Sequence, residues 1–108
     1  MNTKNAVSTL AALAQESRLA VFRLLVQCEP GGMAATKISE QLDIPPSSLS
    51  FHLKELTHAN LVVPTQAGRY IIYAANFAAM NDLIHFLTEN CCGGNPCASV
   101  EILSCNQL

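Results

Sequence analysis

The chain has 108 residues, of which 50% are hydrophobic and 13% are charged, and its formal net charge at pH 7 is −2. This length predicts one domain with its own core, and the high apolar content favours an oligomer that buries part of its surface between subunits. The negative charge argues against a protein that holds nucleic acid by bulk electrostatics. The chain has no apolar run long enough to span a membrane and no signal-peptide pattern, so we predict a cytoplasmic protein with no membrane partner.

The first part of the chain predicts two helices. Val7 to Ala14 is apolar nearly all round, which is typical of a helix buried between elements or subunits. Ser17 to Gln27 predicts a second helix, and residues 29–32 (Glu-Pro-Gly-Gly) end it. Its predicted core stripe consists of Leu19, Phe22 and Val26. We interpret Cys28, at the exit of this helix, as a small buried hydrophobic residue.

The middle of the chain predicts a helix-turn-helix. Met33 to Leu42 forms a short third helix, a tight connection follows, and Pro45 to Asn60 forms a fourth helix with Pro46 at its first position. The predicted buried stripe of the fourth helix is Leu49, Leu53, Leu56 and Asn60. Its opposite face carries Ser47, Ser50, Phe51, Lys54 and His58. Small hydroxyls around one aromatic ring favour a surface that presses against a partner over an ordinary solvated face.

A predicted β-hairpin follows this pair of helices. Leu61 to Gln66 and Tyr70 to Ala74 are rich in β-branched and aromatic residues and flank a turn with Gly68. Pro64 indicates that the first strand lies at a sheet edge. A hairpin directly after a helix-turn-helix is a wing, and Arg69 at its tip is placed to meet a phosphate. The fold class is therefore mainly α with a β-hairpin wing.

Phe77 to Asn90 predicts the last helix, with one apolar face of Phe77, Met80, Ile84 and Leu87. Asp82, His85 and Glu89 share a second face, which we interpret as solvated rather than as a zinc site because it lacks a second histidine. The sequence thus divides into a helical and winged domain, 1–90, and a cysteine-rich tail, 91–108.

The charges around the predicted helix-turn-helix and wing cancel. Between residues 33 and 73 there are three basic and three acidic side chains, a net charge of zero. They are Lys37, Lys54 and Arg69 against Glu40, Asp43 and Glu55. Binding to DNA would therefore require a dimer and many neutral phosphate contacts.

Four stretches of the chain resemble the ArsR/SmtB family of winged-helix repressors. They are residues 10–19 (LAALAQESRL), 38–42 (ISEQL), 47–63 with its Ser-x-x-Ser-x-His-Leu-x-x-Leu block, and Gly68-Arg69-Tyr70 with Tyr73. The resemblance implies a homodimer built from the first and last helices, with two recognition helices in successive major grooves of double-stranded operator DNA. The DNA-binding residues expected from the resemblance and the predicted elements are Thr36, Lys37, Pro46, Ser47, Ser50, Phe51, Lys54 and Arg69.

The chain departs from this family at the usual inducer site. Many arsenic-sensing members carry a Cys-Val-Cys type pair in the first helix of the helix-turn-helix, whereas residues 34–38 here read Ala-Ala-Thr-Lys-Ile. The tail offers another thiol site, since Cys91, Cys92 and Cys97 resemble the vicinal cysteines that some arsenic-responsive members place after the last helix.

Three thiolates on a short flexible arc suit As(III) or Sb(III), which form three bonds and keep a lone pair. Zinc, cadmium, mercury and copper(I) also accept thiolates, and Cys105 could supply a fourth ligand. The leading hypothesis is a repressor that As(III) or Sb(III) releases from its operator. The alternatives are a repressor that senses another soft metal or an oxidant. A thiol reductase is the remote alternative, because Cys91 and Cys92 follow a helix C-terminus, where the dipole disfavours a thiolate.

Overall fold

The computed structural model describes residues 1–28 and 30–94. Over these residues the chain forms five α-helices, three strands and a short 3₁₀ turn. In chain order they are α1 (Thr3–Leu13), α2 (Glu16–Gln27), β1 (Met33–Ala34), α3 (Ala35–Leu42), α4 (Pro46–His58), β2 (Val62–Ala67), β3 (Tyr70–Ala75), α5 (Phe77–Thr88) and the turn Cys91–Gly94. The predicted class, mainly helical with a winged helix-turn-helix, is confirmed.

Helix α1 begins four residues earlier than the sequence predicted. Asn2 caps it, because its side-chain oxygen accepts a hydrogen bond from the Asn5 amide at 2.8 Å. The face that the chain buries consists of Ala6, Thr9 and Ala12. Val7 and Leu10, on the other side, remain 59% and 43% exposed. Helix α1 therefore has two apolar faces. A single chain buries one of them and leaves the other exposed.

The predicted core stripe of α2 was wrong at one of its three positions. Phe22 is buried and the half-buried Val26 packs against the core, but Leu19 is 44% exposed. The helix instead points Val21 and Leu25 inward, together with Phe22. The helix has apolar residues on adjoining faces, so spacing alone allowed two stripes, and packing against α4 and β3 selected the other one.

The wing belongs to a three-stranded antiparallel sheet in the order β1-β3-β2. Pro64 therefore lies on an edge strand, as predicted. Strand β1 was missed, because the prediction ran the third helix from Met33 and two residues carry no periodic signal. Gly32 positions this strand, since its φ is +89° and a Cβ there would lie 2.5 Å from the Tyr73 carbonyl oxygen.

The core of the protomer lies between α2, α3, α4 and the base of the wing. Its buried side chains include Val21, Phe22, Leu25, Ile38, Leu49, Leu53, Leu56, Leu61 and Val62. Helix α5 contacts α1, and its buried residues are Ala79 and Leu83. Of the apolar face predicted for α5, the half-buried Met80 packs against the core, whereas Leu87 is 58% exposed. None of the helices in the described part of the chain is long and apolar enough to cross a membrane.

Candidate nucleic-acid interface and thiol segment

The turn between α3 and α4 is held by Ser39. The Ser39 hydroxyl donates a hydrogen bond to the Ile44 carbonyl at 2.6 Å, and the Ile44 amide donates to the Ser39 carbonyl at 3.2 Å. Asp43 adopts a left-handed conformation, with φ of 53°, which ends α3 and reverses the chain. Pro46 then occupies the first turn of α4. These contacts fix the angle at which α4 leaves α3.

Helix α4 has one buried and one exposed face, as the sequence predicted for most of its length. Leu49, Leu53 and Leu56 are at most 2% exposed. The four residues predicted to contact DNA on the other face are all exposed: Ser47, Ser50, Phe51 and Lys54. Asn60 was wrongly placed in the buried stripe. It lies beyond the end of the helix, is exposed, and has a φ of 63°.

The first turn of α4 also presents backbone donors. Pro45 is the N-cap residue, and no side chain in the described part of the chain caps this helix. The amide groups of Ser47 and Ser48, two exposed residues, therefore have no side-chain acceptor in the described part of the chain and lie at the positive end of the helix dipole, where phosphate oxygens bind. Sequence reasoning missed these donors because it considered side chains, although a proline at the N-cap position already indicates that no side-chain cap can form there.

A groove of about 290 Å³ separates α3 from the start of α4. It brings together three of the predicted contact residues, Thr36, Pro46 and Ser50. Lys37 is exposed on α3 and does not line the groove. The groove combines the hydroxyl groups of Thr36 and Ser50 with the uncapped start of α4, which are donors that can position a protein on a DNA backbone, but the acidic Glu40 also lines it.

Arg69 lies apart from this groove, at the tip of the wing, and is exposed. The tip is a tight turn in which Gly68 has a φ of 65°. The side-chain amide of Gln66 donates a hydrogen bond to the Gly68 carbonyl at 2.7 Å and so braces the turn. The predicted phosphate contact of Arg69 thus belongs to a second surface, formed by the β2–β3 turn.

The vicinal thiols follow closely on the end of α5. Cys91 and Cys92 are exposed and lie in the 3₁₀ turn Cys91–Gly94. Asn90, just before them, has a φ of 58°, and Cys92 itself has a φ of 54°. Cys97 and Cys105, the other predicted ligands, lie outside the described residues.

The three polar residues that the sequence predicted on one face of the last helix do not all lie on that helix. Asp82 and His85 lie on α5, but the helix ends at Thr88, and Glu89 is its C-cap in an extended conformation with ψ of 138°. Over residues 1–28 and 30–94, no three or more His, Cys, Asp or Glu side chains come together in a way that could hold a metal ion.

Comparison with known proteins identifies relatives of this architecture. A family model described as a helix-turn-helix domain matches residues 13–65. The chain is 33% identical to the arsenical resistance operon repressor of Bacillus subtilis over 81 residues, covering 75% of this chain and 73% of that protein. It is 39% identical to the HTH-type transcriptional regulator NmtR of Mycobacterium tuberculosis over 67 residues, 62% of this chain and 53% of that protein. An ArsR-like transcriptional regulator from Rhodococcus sp. RHA1 superposes with a TM-score of 0.70 at 26% identity, covering 78% of this chain and 76% of that one.

Proposed function

The chain belongs to the ArsR/SmtB family of winged-helix transcriptional regulators, and we propose that it is a dimeric repressor that As(III) or Sb(III) releases from operator DNA. The resemblance inferred from its residues is thereby confirmed, and the family is one of DNA-binding regulators rather than enzymes. The observation that carries the sensing proposal is the exposed pair Cys91 and Cys92, which follows α5 directly.

The DNA contact would be made by α4 in a major groove. Ser47 and Ser50 present hydroxyl groups and Phe51 an exposed ring, and these can contact base edges, thymine methyl groups and phosphates. Lys37, Lys54 and Arg69 would each meet a phosphate. Because the acidic residues of the same region cancel these charges, one protomer would bind weakly. Two protomers reading half-sites about one helical turn apart would supply the affinity.

The second protomer would cover the apolar surface that one chain leaves exposed. Val7 and Leu10 on α1 and Leu87 near the end of α5 are all more than 40% exposed. Apolar side chains on two neighbouring helices favour an interface with a second copy of the chain. The thiol turn would then lie close to a dimer interface built from α1 and α5, as the family resemblance implies.

Thiol chemistry favours trivalent arsenic as the inducer. Arsenous acid, As(OH)₃, would exchange its three hydroxyl groups for the sulfurs of Cys91, Cys92 and Cys97 and release three water molecules, with no change in oxidation state. We propose that residues 91–108 act as the sensing tail of the domain formed by residues 1–90. Capturing the ion would rearrange the end of α5 and with it the spacing of the two α4 helices. The relationship to an arsenical resistance repressor supports trivalent arsenic as a candidate inducer, and the titration below separates it from other soft metals.

The proposal is tested by fluorescence anisotropy on a duplex that the protein selects from random DNA. Arsenite should release the wild-type protein, with a coupling of about 1–3 kcal/mol. Cys91→Ser, Cys92→Ser and Cys97→Ser should each lose most of this response while keeping their affinity for DNA. Cys28→Ala, which removes a half-buried thiol at the end of α2, is the matched control and should respond as the wild type does.

The same titration separates the alternatives. Release by zinc or cadmium but not by arsenite, lost in Cys105→Ser, would indicate a four-thiolate soft-metal site. Release by peroxide alone would indicate an oxidant sensor. Arsenite release that persists in all three tail variants would rule out the tail as the sensor.

A further inference from the structure

The C-terminal end of α4 is closed by a Schellman motif. The Leu61 amide donates a hydrogen bond to the Leu56 carbonyl at 3.0 Å, and the Asn60 amide donates to the Thr57 carbonyl at 3.0 Å. Asn60 supplies the left-handed residue that this motif requires. Leu56 and Leu61, both fully buried, make the hydrophobic contact that accompanies it. The motif fixes the directions in which the Asn60 and Leu61 carbonyl groups point.

Both of these carbonyl groups accept hydrogen bonds from Asn76. The Asn76 side-chain Nδ2 donates to the Asn60 carbonyl at 3.0 Å, and the Asn76 backbone amide donates to the Leu61 carbonyl at 2.9 Å. The remaining polar atom of the side chain, Oδ1, accepts from the Ala79 amide at 3.1 Å and caps α5. One asparagine thus ties the end of the DNA-reading helix to the beginning of the helix that leads to the thiols.

We propose that Asn76 is a positioning residue that couples α5 to the recognition helix α4. The coupling role rests on the proposed function, because it concerns how a change at the thiols reaches the DNA surface. Helix α5 packs on α1, so movement of α5 along that contact would reach α4 through the chain segment that Asn76 clamps. Hydrogen bonds are directional and break over small displacements, so a shift at the start of α5 would also alter the end of α4.

The side chain of Asn76 has two separable roles, and Asn76→Asp keeps one of them. Aspartate is as good an N-cap as asparagine, and its charge is favourable at a helix N-terminus, so α5 stays capped. A carboxylate cannot donate to the Asn60 carbonyl, so the side-chain hydrogen bond to the end of α4 is lost, whereas the backbone bond to the Leu61 carbonyl remains. The matched control is Asn2→Asp, the same substitution at the N-cap of α1, where Asn2 Oδ1 accepts from the Asn5 amide.

The experiment measures operator affinity by anisotropy, with and without arsenite, for full-length wild type and the two variants. Without arsenite, Asn76→Asp should bind at least about twofold more weakly than Asn2→Asp, since an exposed hydrogen bond lies at the low end of the net range. The ratio of affinities without and with arsenite should also shrink by at least about twofold in Asn76→Asp only. Thermal unfolding should show that both variants stay folded, with a slightly lower midpoint for Asn76→Asp because it loses one hydrogen bond while both helices keep their caps.

Equal affinities of Asn76→Asp and Asn2→Asp without arsenite would overturn the positioning role. A release ratio that stays at the wild-type value in Asn76→Asp would overturn the coupling role. A wild-type complex that ignores arsenite and every other thiophilic ion would contradict the proposed function instead, and the affinities without arsenite would still decide whether Asn76 positions α4.

Discussion

At the scale of single residues, two adjacent glycines have opposite surroundings. Gly32 has a φ of +89°, and a Cβ built on it would lie 2.5 Å from the Tyr73 carbonyl oxygen. Gly31 has no neighbouring atom within 4 Å of the same position and no positive φ. The close approach at Gly32 lets β1 pair with β3, which places the start of α3 against the sheet. Only one of the two positions therefore requires glycine.

Gly32→Ala should destabilise the protein by more than about 2 kcal/mol, since it combines backbone strain with a steric clash against main-chain atoms. Gly31→Ala should change stability by no more than about 1 kcal/mol, because the new methyl group meets open space. Urea unfolding of the two variants, followed by circular dichroism, measures the difference. Equal losses at both positions would show that β1 does not pack against Tyr73 in this way.

At the scale of elements, α4 was the most predictable part of the chain. Its three buried leucines, its proline start and its hydroxyl-rich face all indicate the same helix, so the buried and exposed faces could both be assigned before the structure was known. Its end was predicted two residues too late, at Asn60. The apolar spacing continues through that position, and periodicity carries no information about a left-handed residue.

The two faces of α4 should separate binding from stability. Phe51→Ala removes a 54% exposed ring and should lower operator affinity by about tenfold, equivalent to about 1.4 kcal/mol, while stability changes by less than about 0.5 kcal/mol. Leu53→Ala empties a core position that is 2% exposed and should cost about 2–5 kcal/mol of stability. The folded fraction of Leu53→Ala should bind DNA nearly as wild type does. Anisotropy measures the operator affinity of both variants, and urea unfolding measures their stability. Wild-type affinity in Phe51→Ala would exclude the exposed face of α4 as the DNA-reading surface.

Three other features show which parts of the fold could not be predicted from the sequence, and why. Strand β1 is two residues long and depends on a partner, Tyr73, that lies some forty positions later in the chain. The α2 stripe was misassigned because apolar residues occupy two adjoining faces, and only tertiary packing distinguishes them. The clamp at Asn76 joins groups from two loops, and no local pattern reports such a pair, although an asparagine before an apolar helix does indicate the N-cap.

At the scale of the whole molecule, the structure accounts for the high apolar content noted in the sequence. One protomer buries the inner faces of α1 and α5 but leaves Val7, Leu10 and Leu87 exposed. The protomer also carries a net charge of −2, so it gains little from general attraction to DNA. Both facts favour the proposed dimer as the unit that binds operator, because pairing would cover the apolar surface and would double the number of phosphate contacts.

Val7→Glu tests this assembly. If a second protomer covers Val7 as proposed, a carboxylate there would lose its hydration without gaining a partner, so the dimer dissociation constant should rise by at least about 100-fold. Thr3→Glu is the control, since it adds the same charge at an exposed position in the first turn of the same helix, where the helix dipole tolerates it. Sedimentation equilibrium should find Val7→Glu monomeric at concentrations where Thr3→Glu is dimeric, and operator affinity should fall in parallel. If Val7→Glu remained dimeric and kept its affinity, the exposed face of α1 would not be the interface, and the arrangement of two α4 helices would have to come from another surface.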